Sequence, residues 1–287
     1  MMSRLDVLKT YKLFIDGKFP RTESGRYFYM KNAKGDLLAN MCLSSRKDFR
    51  NAVVSARKAQ EKWANSTALN KGQILYRIAE MLEGRKTQFT QHLISTGSTK
   101  SAAVKEVALS IDRLIYYAGW SDKFQQIFST VNPVASNHFN FSTLEPTGII
   151  SIVAPNENPL LGIISVLAPT IVGGNTTVIL ASSTNPLVAI SLAEVLNSSD
   201  LPAGVVNILT GDREELLSHF ASHKDVNAIL YCGNKLKEIK LVEEMAIKNL
   251  KRVNIYRRKN REDKESQSPY FIEKCQEIKT IWHPTEV

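Results

Sequence analysis

Two spacings of apolar residues alternate along the chain, and the change between them divides it. From Tyr11 to Met41, "YKLFIDGKFPRTESGRYFYMKNAKGDLLANM" carries short β-prone runs broken by Asp16-Gly17 and Lys34-Gly35, pairs that suit tight hairpin turns. From Ser45, a good helix cap, apolar positions fall at Phe49, Val53, Ala56, Ala59 and Trp63, which predicts a helix. A second helix is expected from about Asn70, burying Ile74, Ile78, Leu82, Phe89 and Leu93. A third should cover Ser101 to Gln126 through Val104, Val107, Ile111, Leu114 and Ala118. These three amphipathic helices read as a packing layer, with no chemistry assigned to them. "STVNPVASNHFNFSTLEPTG" then gives two β-like runs around an Asn-Pro turn.

From Gly148 strand and helix patterns alternate. "GIISIVA", "NTTVIL", "VVNILTG", "VNAILYCG" and "RVNIY" read as strands. The segments Pro159 to Ile171, Pro186 to Asn197, Arg213 to His223 and Lys235 to Lys248 between them read as helices. Strands joined by helices demand crossover connections, so this part is a doubly wound parallel sheet. "RRKNREDKESQS" follows as a polar linker or exposed loop, and "EIKTIW" alternates like a final strand.

Composition narrows the class. With 287 residues, 43% of them hydrophobic, the chain can bury a large core or two modest ones. The net charge of +9 is local: Lys248, Lys251, Arg252, Arg257, Arg258, Lys259 and Arg261 sit in one acid-free stretch, and without them the balance falls to +2. That argues against a nucleic-acid footprint over the whole protein and leaves one patch, which suits a solvated face or an acidic protein partner better than nucleic acid. Cys42, Cys232 and Cys275 have neither a disulfide framework nor a zinc-ligand spacing, which fits a reduced compartment. The first residues lack the apolar core of a signal peptide, and Pro and Gly interrupt the longest apolar run, so a soluble, cytoplasmic protein is expected, with no membrane contact.

Several conspicuous residues have plain explanations. His219 and His223 stand four apart on a predicted helix, but no third metal ligand accompanies them. Trp63, Trp120 and Trp282 read as core or interface anchors. "GDREELLSHF" is a capped helix start and not a phosphate cradle.

The segments "LFIDGKF", "ISTGSTK", "YYAGWSDK", "EPTGIISIVAPNENPL", "LAPTIVGGNTTVIL", "LPAGVVNILTG" and "ASHKDVNAILYCG" resemble, in order and spacing, the aldehyde dehydrogenase superfamily, over about Lys12 to Tyr256. Among its branches the chain resembles the degenerate C-terminal half of family sixteen aldehyde dehydrogenases. The resemblance implies that "EIKTIWHP" is the last strand of an oligomerisation sheet shared with the hairpin Ser129 to Glu145. It also implies that the catalytic domain, which should lie between Tyr256 and that strand, is replaced by a short polar stretch. Without that neighbour, Val153, Ile163 and Leu167 are expected to be exposed.

Active members carry Pro-Trp-Asn-Phe-Pro where this chain has "PNENP", and the motif's Asn donates to the oxyanion formed when a cysteine thiolate attacks the aldehyde. Pro155 and Pro159 align Asn156 with the Trp, Glu157 with the Asn and Asn158 with the Phe. A carboxylate has no hydrogen to donate, where a proper donor is worth roughly 3 kcal/mol. By the same resemblance, the lysine that bonds the adenine ribose falls at Leu180 and the acid sharing that ribose at Ser183. Gly233 matches the first glycine of the pyrophosphate turn, the next falls at Glu238, and Lys235 stands where a small residue is usual. The general-base glutamate falls at Tyr256, and the glycines after it at Arg257 and Arg258. The only downstream cysteine, Cys275, lies between acids that should raise its pKa, and is expected to be structural.

The expected fold is therefore α/β: a Rossmann-type parallel sheet (148–256) with an N-terminal layer of hairpins and helices (1–126). A β-hairpin (127–147) and a C-terminal strand (270–287) form an oligomerisation arm, with a basic linker (257–269) in place of the catalytic domain. The leading functional expectation is a non-catalytic relative of aldehyde dehydrogenases, with no catalytic, cofactor-binding or metal residues. It would associate with itself or a related aldehyde dehydrogenase, because an unpaired "EIKTIW" exposes backbone donors and acceptors. The alternatives are a nucleotide-binding sensor that uses Gly233, and an NAD(P)-dependent aldehyde oxidoreductase active only with a full-length partner.

Overall fold

Local signals set most element ends in the computed structural model, which describes residues 8–257 and 260–285. The N-terminal strands β1 (Thr10–Tyr11), β2 (Tyr27–Lys31) and β3 (Leu37–Cys42) form one small sheet. Lys34-Gly35 turns β2 into antiparallel β3, whereas β1 lies parallel to β3. Asp16 and Gly17 both take positive φ in the tight turn between Ile15 and Lys18, as predicted.

Helix α1 (Arg46–Ala64) starts at a capping box: the Ser45 hydroxyl accepts from the Lys47 and Asp48 amides, and Asp48 accepts back from the Ser45 amide. The expected second helix is two, α2 (Ala68–Gly84) and α3 (Lys86–Ser95), because Arg85 leaves helical geometry. The third is α4 (Lys100–Ala118), after which a turn precedes the short α5 (Phe124–Phe128). The stripe expected on α4 is buried at Val107, Ile111, Leu114 and Ala118, and differs only at its start, where Ala103 is buried and Val104 is 51% exposed.

Next come β4 (Thr130–Asn132), β5 (His138–Pro146), β6 (Ile149–Val153), α6 (Pro159–Val172), β7 (Thr176–Leu180), α7 (Pro186–Asn197), β8 (Val206–Leu209), α8 (Arg213–Ser222), β9 (Ala228–Cys232), α9 (Leu236–Ala246), β10 (Arg252–Tyr256), α10 (Tyr270–Glu273) and β11 (Gln276–Pro284). Five of the strands make the expected parallel sheet, in the order β10-β9-β6-β7-β8. Successive side chains of a strand point to opposite faces. Ile150, Ile152, Ile179 and Leu230 therefore join the core under α2, α4, α6 and α7, while Ile149, Val153, Val178 and Ile229 join the core under α1 and α8.

The polar stretch after β10 is not a loose linker. Arg113 of α4, itself buried, donates to the carbonyls of Arg261 (2.9 Å) and Ser266 (2.8 Å) and to the Gln267 side chain (3.0 Å). Tyr117, one turn further along α4, lies 3.4 Å from both the amide and the carbonyl of Ser268. Residues 260–275 form a strap that seats Ile272 and Cys275 fully in the core against α6. One expectation is corrected: Ile163 and Leu167 are buried in the core that the strap joins, and Val153 in the core under α1 and α8, so none is left bare.

The last strand shares a sheet with the hairpin, as the resemblance implies, and only the description of it as unpaired is corrected. Strand β11 pairs antiparallel with β5 from Gln276↔Pro146 to Pro284↔His138, so "EIKTIW" is satisfied along one edge and only its outer edge is open. On the face shared with Leu144 and Asn140, Ile278 and Trp282 are 68% and 57% exposed. The basic run is also not one patch. Lys251 turns inward and donates to the His223 carbonyl (2.8 Å), Arg252 pairs with Glu277, and Arg258 and Lys259 lie outside the described residues.

Candidate site at the carboxyl ends of the strands

The loops leaving β6, β7, β9 and β10 meet at one end of the parallel sheet, the end where such sheets bind ligands. They enclose a cavity of about 320 Å3 lined by Asn156, Glu157, Arg213, Gly233, Lys235 and Tyr256, among others. An adjoining groove of about 460 Å3 runs past Ser183, Asp212, Glu214 and Glu238. The structure thus brings Asn156, Glu157, Ser183, Gly233, Lys235, Glu238 and Tyr256 to one mouth. Leu180 is buried at the end of β7, and Arg258 lies outside the described residues.

Backbone geometry fixes the first loop. Asn158 caps α6 in the left-handed region (φ 48°), and Pro159 opens the helix. The amides of Leu160 and Leu161, which a helix start leaves unsatisfied, donate to Glu106 Oε1 at 2.8 and 3.2 Å. Burial raises the Glu106 carboxyl above its ordinary range, against the pull of those two bonds. The Asn156 side-chain oxygen accepts from the Ser183 amide (3.0 Å), the Ser183 hydroxyl (3.0 Å) and the Ser182 hydroxyl (3.2 Å). These bonds tie the loop after β6 to the loop after β7. Glu157, which the resemblance aligns with the oxyanion-binding Asn, has a carboxylate that can accept but not donate.

An ion network crosses the groove. The Tyr231 hydroxyl donates to Glu238 Oε2 (2.7 Å), Lys235 Nζ lies 2.9 Å from Oε1, and Arg213 Nη1 approaches to 3.7 Å. Burial works to raise the Glu238 carboxyl, but Tyr231, Lys235 and Arg213 together hold it below the ordinary value. Burial and the neighbouring carboxylate push the Tyr231 phenol well up, so it stays a neutral donor. Gly233 is explained by the same network: a Cβ there would lie 2.7 Å from the Tyr231 hydroxyl oxygen. The glycine makes room for tyrosine.

The dinucleotide that the fold implies does not fit this wall. Where the resemblance places its pyrophosphate stands Glu238, with Asp212 and Glu214 in the same groove and its two cations, Arg213 and Lys235, drawn to Glu238. Its ribose would find the aliphatic Leu180 and a Ser183 whose amide and hydroxyl are engaged by Asn156. Tyr256, which the resemblance aligns with the general base, packs edge-on against Phe271 of the strap (5.5 Å between centroids), and burial raises its phenol far above neutrality.

Cys275 is buried, with its thiol pushed up to about 11. The cause differs from the expected one: burial raises it, and the adjacent acids play no part. His219 and His223 do not join a metal site, since among the described residues no three His, Cys, Asp or Glu side chains come together to hold an ion. His223 instead packs edge-on against Phe49 and accepts from the Asp225 amide through Nδ1. No helix among the described residues is long and apolar enough to cross a membrane.

The reading of α4 as mere packing missed three residues behind this mouth, one holding the start of α6 and two holding the strap. Glu106, Arg113 and Tyr117 are all buried on α4, and their signal was a second stripe, 106-110-113-117, beside the apolar one.

Comparison with known proteins agrees with this architecture. Residues 20–255 match the aldehyde dehydrogenase family. A Bacillus subtilis protein named as an aldehyde dehydrogenase, DhaS, is 32% identical over 252 residues, 86% of this chain and 50% of its own length. Mouse cytosolic 10-formyltetrahydrofolate dehydrogenase is 30% identical over 260 residues, 88% of this chain and 29% of its own. Among solved structures, an E194S mutant of a Bacillus cereus aldehyde dehydrogenase superposes with a TM-score of 0.82 at 25% identity, covering 87% of this chain and 51% of that one. The NAD+ complex of aldehyde dehydrogenase from the same organism gives the same score at 24% identity, a likeness of fold. The chain spans half the length of the first relative and less of the second, and the family match stops at residue 255, one residue before the end of β10 and ahead of the strap. With the parallel sheet, the loops at its carboxyl end and the matched residues in agreement, this chain belongs to the aldehyde dehydrogenase family.

Proposed function

We propose that this protein is a non-catalytic aldehyde dehydrogenase relative with a structural or regulatory role, acting through association of its β4-β5-β11 arm. The partner is a second copy or a related aldehyde dehydrogenase, and a cytoplasmic location belongs to the same proposal. The observation that carries the reading is the wall of the groove, where Tyr231, Lys235 and Arg213 converge on Glu238 in the space a dinucleotide would need. Glu157 at the oxyanion position and Tyr256 at the general-base position support it. The open outer edge of β11, with Ile278 and Trp282 exposed, supports association, because an edge strand leaves a row of donors and acceptors unpaired.

The strap weighs against activity assembled in trans. It covers the face of α6 that a catalytic domain from another chain would have to reach. The same coverage removes a bare apolar face as a reason to associate, so the arm alone carries that part of the proposal.

Calorimetric titration with NAD and NADP, with solution mass measured on the same sample, tests both halves. The expected result is no saturable heat up to millimolar cofactor and a mass of at least a dimer, lowered by Trp282→Ser. Micromolar binding would overturn the non-catalytic half, and a monomeric mass would overturn the association.

A further inference from the structure

The strap borders a second, partly open cavity of about 250 Å3, which shares Tyr256 and Arg261 with the mouth. Its walls sort by chemistry. Val166 of α6, Ile255 and Tyr256 of β10 and Phe271 of α10 supply apolar and aromatic surface. Arg257, Arg261 and Lys274 supply three cations, and no carboxylate lines the cavity among the described residues. Lys274 is held over the rings of Tyr256 and Phe271, at 5.7 and 5.6 Å from their centroids. Arg257 has no ion-pair partner among the described residues, whereas Lys105, Lys235 and Arg252 elsewhere each have one. Unpaired cations around a partly apolar hollow attract a counter-charge, and the apolar wall adds binding for a ligand that carries a body as well as a charge.

We propose that this cavity binds a small amphipathic anion: a single ring or short hydrocarbon body against Val166, Ile255 and Phe271, with its carboxylate or phosphate on Arg257, Lys274 and Arg261. The volume sets the size. It lies just below the roughly 300 Å3 at which small-molecule sites begin, which suits one ring with a short acidic arm. Tyr256 remains protonated because burial holds its phenol up, so it keeps a hydrogen to donate to an anion. The strap makes the site: two of its walls come from residues that stand where the catalytic domain of the family would lie. Ligand binding here is independent of the non-catalytic reading of the mouth, and each can fail without the other.

Phenylacetate, its neutral counterpart phenylacetamide and inorganic phosphate serve as probes, titrated by calorimetry or ligand-observed NMR at low salt. Phenylacetate should saturate, with phenylacetamide and phosphate each at least about tenfold weaker, since one charge-assisted contact is worth at least that factor. The double variant Arg257→Gln/Lys274→Gln changes two exposed side chains and so should fold normally. It should weaken phenylacetate by at least about tenfold. Lys235→Gln, in the neighbouring cavity, should leave the affinity within about twofold. Failure of phenylacetate to saturate, equal binding of the amide, tighter binding of bare phosphate, or an undiminished double variant would each overturn the site. A loss confined to Lys235→Gln would move the ligand to the mouth and overturn it equally.

Discussion

Two buried arginines, one under the strap and one at the groove, are used in opposite ways. Arg113, 2% exposed in α4, directs its guanidinium at neutral acceptors: the Ser165 hydroxyl, the carbonyls of Ser266 and Arg261, and the Gln267 amide oxygen. Arg213, 8% exposed at the start of α8, gives one bond to the Ala154 carbonyl (2.7 Å), stands 3.7 Å from Glu238 and leaves its buried Nε without a partner. A buried donor that finds no acceptor costs about 1–3 kcal/mol, so the two arrangements differ in energy as well as shape. The strap side is a finished interior. The groove is walled by an ion network that leaves a donor unmet, and it should tolerate change better.

The sharpest way to break this comparison is Arg113→Ala. It orphans the acceptors that hold the strap, and about 3–4 kcal/mol of unfolding free energy should go, measured by urea titration. Trypsin should then cut quickly after Arg261 or Lys264. Arg113→Lys should recover only part of the loss, because an ammonium cannot reproduce the planar fork. A loss below about 1 kcal/mol would mean that the strap is held by Ile272 and Cys275 alone.

How far the sequence reveals this arrangement depends on the range of the signal. The ends of α7 and β10 came out as predicted, since Pro186 opens the helix and a short β-branched run forms the strand within a few residues of chain. The parallel sheet followed from strand and helix alternation in the same way. The Arg113 clamp was not legible. Its spacing from Glu106, Ser110 and Tyr117 marks a helix face, but the acceptors lie about 150 residues downstream in a stretch whose composition reads as an exposed linker. Nor could spacing tell that Gly233, at a phosphate-turn position, makes room for Tyr231; the contact depends on the side chain two residues earlier folding back. Departures at Leu180, Glu157 and Glu238 were visible residue by residue, while the network that joins Glu238 to Tyr231 and Arg213 needed the three-dimensional path of α8 and α9.

A smaller effect should follow in the groove. Tyr231→Phe removes one bond to Glu238 and nothing of the ring packing, and should cost about 1 kcal/mol in the same urea experiment. The contrast with Arg113→Ala is the informative quantity. If Tyr231→Phe proves as damaging as Arg113→Ala, the groove is as tightly built as the strap interior and the contrast between the two arginines collapses.

The smallest expected change sharpens the comparison through pH. Glu106, on the same helix as Arg113, accepts from the Leu160 and Leu161 amides and faces Asn158, with Glu262 of the strap nearby. Burial, reinforced by Glu262, raises its carboxyl above the ordinary 4.5 despite those bonds. A carboxyl raised on folding keeps a proton that the unfolded chain has released, so its stabilisation is complete below the ordinary range and is lost as pH rises through the folded value. Glu106→Gln keeps the acceptor oxygen and cannot ionise, so relative to wild type it should gain stability as pH rises through that window, by less than about 1 kcal/mol in all. His92, His219 and His223, depressed mainly by burial, contribute a slope of opposite sign. They are common to both proteins and cancel in the difference. Parallel stability curves for Glu106→Gln and wild type would mean that Glu106 stays ionised at the start of α6, stabilised there by the helix dipole and the two amides against the cost of burial.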